Sequence, residues 1–215
     1  MFSLFNSTES MVEPPLQQNN NPQQRPDNGN LIPPQSTQQG AVSEKIMSNG
    51  GTRYLCNITG DIGECDAFFY LIHILNNATA NDHVILNIAS SGGSIETGIH
   101  IIQAMFHTKA KVTTYAMGLA ASIAAVVWAC GHRRYLSDVG TLMFHMPSSF
   151  HFGKTQDTVE DASYMVSYFT QLLKLVTKDI LTEEEIEQVV AKRKDVFISD
   201  LNLNTKLNGG GDNTK

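Results

Sequence analysis

Val84-Ile85-Leu86-Asn87-Ile88-Ala89 runs directly into Ser90-Ser91-Gly92-Gly93-Ser94. The first six residues form a short, almost continuously apolar run, the pattern of a strand covered on both faces. The serine and glycine residues break that run as a turn, and Ile95, Ile99, Ile102, Met105 and Phe106 then fall on one face of a helix. The pattern recurs once. Val112–Met117 predicts a second strand, Gly118 a turn, and Ala120–Cys130 a helix that is apolar on every side and so belongs at the centre of the domain. Two strand-turn-helix units in succession require parallel strands with right-handed crossovers, which is the α/β class.

Working outward, Tyr54–Ile58 predicts a first strand and Asp66–Asn76 a helix. Downstream, Thr141–His145 predicts a short strand. A long helix is expected over Thr155–Ile180, with Ala162, Met165, Phe169, Leu172, Leu173 and Val176 on one face. Thr182 and Glu185 have the spacing of a capping box for a further short helix. In open α/β sheets ligands bind beyond the carboxyl ends of strands. Gly92-Gly93, Gly118–Ser122 and the end of the His145 strand all fall there.

Composition sets the outer limits. Six of the seven prolines lie between Pro14 and Pro34, among Gln and Asn. Residues 1–48 have too few large apolar side chains to offset the entropy of ordering them and read as a disordered extension. Residues 49–205 read as one domain of ordinary size, and residues 206–215, with Gly209-Gly210-Gly211, as a flexible tail. The net charge is −6 and the longest basic run is Lys192-Arg193-Lys194, which argues against a nucleic-acid partner. Cys56, Cys65 and Cys130 are odd in number and lack metal-type spacing, so they read as free thiols in a reducing compartment. No basic start precedes an apolar core at the N-terminus, so the expected location is the cytoplasm. Val112–His132 carries no formal charge and is long enough to cross a bilayer. Its change from β-branched to Ala-rich sequence at Gly118 fits a strand-turn-helix, and no membrane contact is expected.

The chemistry-bearing residues follow from this frame. Ser122 sits among small residues in Met117-Gly118-Leu119-Ala120-Ala121-Ser122-Ile123, where serine ordinarily serves close helix packing. After a strand and at a helix N-terminus it can instead act as a nucleophile, with the next amide, Ile123 N–H, facing a developing oxyanion. Gly93 can supply a second oxyanion donor within its turn. His145 ends an apolar strand and suits a general base if a carboxylate holds its second ring nitrogen. His73, His83, His100, His107, His132 and His151 read as surface or core histidines. Asp195 opens the apolar stretch Val196-Phe197-Ile198 and is a candidate for the carboxylate, but Asp161, Asp179 and Asp200 compete on spacing alone.

From Tyr54 to Ser199 the chain resembles the proteolytic subunit of the Clp protease, a self-compartmentalised serine peptidase. Four segments carry the resemblance, in the family's order and separations. They are Ser90-Ser91-Gly92-Gly93-Ser94, Met117-Gly118-Leu119-Ala120-Ala121-Ser122-Ile123, Met143-Phe144-His145-Met146-Pro147 and Lys194-Asp195-Val196-Phe197-Ile198-Ser199. The resemblance implies a crotonase-like, Clp-type stack of βαβ units with a protruding handle helix, matched here to Thr155–Ile180. It implies a Ser122–His145–Asp195 triad with Gly93 and Ile123 as oxyanion donors, and no cofactor or metal. It further implies a heptameric ring, an ATP-driven (AAA+) unfoldase partner, and peptides or unfolded polypeptides as substrates.

The chain departs from the family at several points. Ser149 and Phe150 replace a usual Gly-Gly pair before the handle, with Gly153 kept, which bears on cleavage preference and ring closure. Arg193 and Lys194 stand where the family pairs an acid with an arginine across stacked rings, so the double ring is left open. The family's Tyr-Gly-Leu-Ile/Val-Asp ending is absent, replaced by Leu201-Asn202-Leu203-Asn204-Thr205. The competing readings are a catalytically inactive ring subunit that modulates its partners, a viral head-maturation protease of the same family, and a crotonase-like enzyme acting on an acyl-CoA thioester.

Overall fold

Parallel pairing is what the repeated strand-turn-helix pattern requires, and the computed structural model, which describes residues 42–48, 50–147 and 158–199, has it. Strand β2 (Thr52–Ile62) lies parallel to β3 (His83–Gly93), which lies parallel to β4 (Lys111–Ala121). A 3-10 turn, Cys65–Phe68, leads into α1 (Phe69–Asn77) between β2 and β3, and α2 (Ile95–His107) joins β3 to β4. Helix α3 (Ile123–Ala129) leaves β4 and is followed by β5 (Arg133–Leu136) and β6 (Thr141–Phe144). Helices α4 (Thr158–Thr177) and α5 (Glu183–Val190) precede β7 (Val196–Ser199).

The seven strands form one sheet in the order β1-β2-β3-β4-β6-β7, with β5 pairing to β4 beside that path. The first strand, β1 (Val42–Ile46), pairs antiparallel to β2 and lies inside the stretch expected to be disordered, so the ordered domain begins upstream of residue 49. The expectations for residues 1–41 and 206–215 fall outside the described residues.

Two boundaries differ from the sequence reading, for one reason. Strand β4 runs through Gly118 to Ala121 because it changes partner on the way: Thr113–Ala116 pair with β5, and Leu119–Ala121 pair with β6. Strand β3 runs through Ser90–Gly93 because β2 continues beside it, with Asp61 opposite Gly92 and Ile62 opposite Gly93. Local chemistry predicts a turn at both places, and tertiary pairing overrides it.

The core lies between the sheet and its helices. Val84, Leu86 and Ile88 of β3 are buried, while Ile85 and Asn87 between them are half-buried. The strand is therefore covered on one face and partly open on the other, unlike the two-sided burial its apolar run suggests. Every residue of α3 is buried, as its all-round apolar sequence requires. Trp128 fills the centre, its Nε1–H donating to Tyr135 O at 3.0 Å, and Thr114 Oγ1 donates to Trp128 O at 2.8 Å, so both buried polar groups are satisfied. Phe169, Leu172, Leu173 and Val176 of α4 are buried along the predicted face. The capping box forms: Thr182 Oγ1 accepts from Glu185 N–H, and the Glu185 carboxylate accepts from Thr182 N–H at 2.8 Å.

Candidate active site

Ser122 sits where β4 ends and α3 begins, with φ 58° and ψ −132°. A non-glycine residue at positive φ in this sparsely populated region costs on the order of 1–3 kcal/mol and persists only where its surroundings impose it. Here they do. Ser122 N–H donates to Met143 O of β6 at 2.8 Å, and Ser122 O accepts from Ala125 N–H at 3.1 Å to start the helix. Ile123 N–H is the first helical amide and precedes any carbonyl of its own helix that it could reach. Gly98 lets α2 close on this junction, since a Cβ there would stand 2.1 Å from Ile123 Cγ1.

Gly92 and Gly93 end β3 beside this junction with φ 102° and 142°, a region that favours glycine. A Cβ on Gly93 would stand 2.2 Å from Ile62 O. Ser90 is buried and its Oγ accepts from Gly92 N–H at 3.1 Å, while Ser91 Oγ donates to Asp61 Oδ1 at 2.7 Å. Ser94 caps α2 by accepting from Thr97 N–H at 3.2 Å. The three serines that the sequence places in one turn thus have separate partners, and Ser90 is the one that holds a glycine amide. The only signal for them was their position between a strand and a helix.

Strand pairing sets the other two candidates at the same end of the sheet. Ala121, just before Ser122, pairs with Met143 of β6, and His145 follows β6 directly. Phe144 pairs with Val196 of β7 in an antiparallel register, so His145 and Asp195 are next in line. Arg193, at φ 49°, turns the chain from α5 into β7, with Lys194 N–H donating to Gln188 O at 3.0 Å. Ser122 and His145 are half-buried and Asp195 is exposed. Among the described residues no hydrogen bond joins the three side chains.

The competing carboxylates separate from this group. Asp179 is committed to Arg134, with Arg134 Nη1–H donating to its Oδ1 at 3.1 Å. Burial raises its pKa, but the hydrogen bond and charge of Arg134 outweigh that and hold the carboxyl below its ordinary value. The Asp161 side chain and Asp200 lie outside the described residues. Lys192 pairs with Glu187 at 3.8 Å and not with Asp195.

The sequence profile of the Clp proteases matches residues 56–201, well over half of the chain. The chain belongs to the Clp protease family. Its mixed α/β sheet agrees with the Clp-type fold. The chain is 28% identical over 122 residues to the ATP-dependent Clp protease proteolytic subunit 2 of Rhodococcus jostii, covering 56% of this chain and 62% of that protein. Against the subunit 2 of Corynebacterium efficiens it is 31% identical over 108 residues, covering 49% and 53%. Against the proteolytic subunit of Chlorella vulgaris it is 32% identical over 90 residues, covering 41% and 45%. The chain thus spans between 45% and 62% of the length of these three Clp relatives.

Among the described residues no helix is long and apolar enough to cross a membrane, and no group of three His, Cys, Asp or Glu side chains is placed to hold a metal ion. A cavity of about 330 Å³ lies between α1 and α2, lined by Cys65, Phe69 and His100 among others, with Cys65 Sγ 3.3 Å from His100 Nδ1.

Proposed function

We propose that this Clp-family chain is a serine endopeptidase that cleaves peptides or unfolded polypeptides. The backbone of Ser122 carries the reading. A non-glycine residue at φ 58° between a strand and a helix is the arrangement that lifts a nucleophilic serine out of its surroundings.

In this mechanism Ser122 Oγ attacks the scissile carbonyl carbon while His145 takes its proton. Asp195 accepts a hydrogen bond from the second ring nitrogen, orienting the imidazole and stabilising its charged form. The amides of Gly93 and Ile123 receive the oxyanion. His145 returns the proton to the leaving amine, and water releases the acyl group by the same steps in reverse roles. Side chains and amides carry every step, so this chemistry uses no metal or cofactor. The three side chains are not bonded to one another in the single chain. The reading therefore requires His145 and Asp195 to close on Ser122 when substrate binds or subunits assemble. A heptameric ring enclosing the sites and a separate AAA+ unfoldase belong to the same proposal. Its support is family membership and the words "ATP-dependent" and "proteolytic subunit" in the names of the relatives.

The test is intact-mass analysis after treatment with a fluorophosphonate, with Ser122→Ala in parallel. One adduct on the parent chain and none on the variant is the expected result. No adduct on either, in a sample shown to form rings, replaces this reading with the inactive ring subunit.

A further inference from the structure

The sequence shows no basic cluster beyond Lys192-Arg193-Lys194, yet the sheet builds one from four strands. Lys45 of β1 pairs with Arg53 of β2, Arg53 with His83 of β3, and His83 with Lys111 of β4. Cross-strand partners point to the same side of a sheet, so these four side chains form one row. Arg133 of β5 pairs with Thr113, two residues along from Lys111 and hence on the same side, and His83 Nε2 lies 2.8 Å from Thr113 Oγ1. The proximity registers in His83, whose pKa is lowered by its burial and then by the charges of Arg53, Arg133 and Lys111.

Like charges side by side on a sheet are unfavourable, and nothing among the described residues offsets them. The ion pairs there use Arg134, Lys174 and Lys192. Asp82, the adjacent carboxylate, is occupied by Thr52 N–H at 2.7 Å and by Thr79 N–H at 2.6 Å. Glu44 accepts from the Tyr70 hydroxyl at 3.2 Å and, next to Lys45 in the strand, belongs to the opposite face.

We infer that this row of cations is a binding surface for a carboxylate-rich polypeptide segment. Strands stand about 4.8 Å apart, so four of them span roughly 14 Å, longer than one phosphate group. The next row on the same face begins with the half-buried Leu55 and Ile85, which suits an occupant with apolar residues among its acids. The chain's net charge of −6 opposes a long polyphosphate backbone, whereas a short acidic segment meets only the local charge. The surface lies at the amino ends of the parallel strands, away from Ser122, and does not depend on the peptidase reading.

The experiment is fluorescence anisotropy with the full chain and three probes: a labelled Glu–Leu alternating peptide, its Lys–Leu counterpart, and poly(U) RNA. The Glu–Leu peptide is expected to bind, and to bind less tightly as salt shortens the range of charge interactions. Arg53→Glu with Lys111→Glu should weaken it by about tenfold. Arg53→Gln with Lys111→Gln should give a smaller loss, and serves if the reversed pair fails to fold by circular dichroism. Absence of binding, binding that neither variant changes, or equal binding of the Lys–Leu peptide would overturn the inference. Poly(U) displacing the peptide through the same residues would also overturn it, in favour of nucleic acid.

Discussion

Gly92 lies against Ser122: a Cβ built on Gly92 would stand 2.6 Å from Ser122 Cβ and 2.9 Å from Ala121 O. At φ 102° an alanine would in addition be strained by its own backbone. Gly92→Ala is therefore expected to lower stability by about 2–4 kcal/mol, from strain and overpacking together. It should also displace Ser122 and remove peptidase activity. Urea denaturation and a peptide-cleavage assay check both, and an unchanged midpoint would show that the junction yields more easily than its contacts imply.

The strain at Ser122 gives a prediction in the opposite direction. Ser122→Gly removes the positive-φ cost and should raise the unfolding free energy by about 1 kcal/mol while abolishing fluorophosphonate labelling. Ser122→Ala abolishes labelling but keeps the strain, so it should not show the gain. Equal denaturation midpoints for the two variants would argue against stored strain at this residue.

The three thiols should differ in reactivity. Burial, with a smaller contribution from Glu44, pushes the Cys56 thiol up to about 12. Burial also pushes Cys130 up to about 12, and although the residue has some exposed surface, its thiol donates inward to Val126 O at 3.1 Å. Cys65 is half-buried and lines the α1–α2 cavity. Under native conditions at neutral pH, iodoacetamide should add one fast label, on Cys65, with Cys56 and Cys130 labelled only on unfolding. Peptide mapping of the labelled protein decides this.

His83 gives the fold a pH dependence whose sign is fixed by its surroundings. Its folded pKa lies below the ordinary 6.5, first because of burial and then because of Arg53, Arg133 and Lys111. Lys45 stands in the same row, and Thr113 Oγ1 lies 2.8 Å from His83 Nε2. The unfolded chain therefore binds the proton more readily than the folded one. This group costs nothing above pH 6.5, and stability falls as pH drops below it. Urea midpoints at pH 7.5 and at pH 5 should differ more for the parent than for His83→Gln. Equal differences would remove His83 as the source.

Much of this protein could be read from local pattern. The 3.6-residue period of α2, the all-apolar sequence of α3 and the Thr182–Glu185 box each specify their helix through interactions within a few residues, and each is present. The apolar runs of β2, β3, β4 and β6 likewise mark strands where they occur, although β1 and β5, short and partly charged, carry no such signal and β7 is marked only as an apolar stretch. Ser122 and His145 were legible as residue types after strand ends, the positions an α/β sheet turns toward a ligand, whereas Asp195, at the start of β7, was one of four carboxylates that spacing alone could not separate.

Strand partners and register belong to the tertiary structure, because a hydrogen bond between strands depends on a chain segment far away in sequence. Pairing with β6 carried β4 past Gly118, and pairing with β2 carried β3 through Gly93, where local chemistry alone predicts turns. Pairing also separated Asp195, in register beside His145, from Asp179, which Arg134 holds elsewhere. The backbone conformation of Ser122 has the same origin, since the bond to Met143 O and the contact with Gly92 together impose it. Lys45, Arg53, His83 and Lys111 are scattered through 67 residues of an acidic chain and become one row only when four strands align. Short-range periodicity and capping suffice for the helices and for the apolar strands. The tertiary structure decided which side chains face one another, since that depends on contacts no local segment contains.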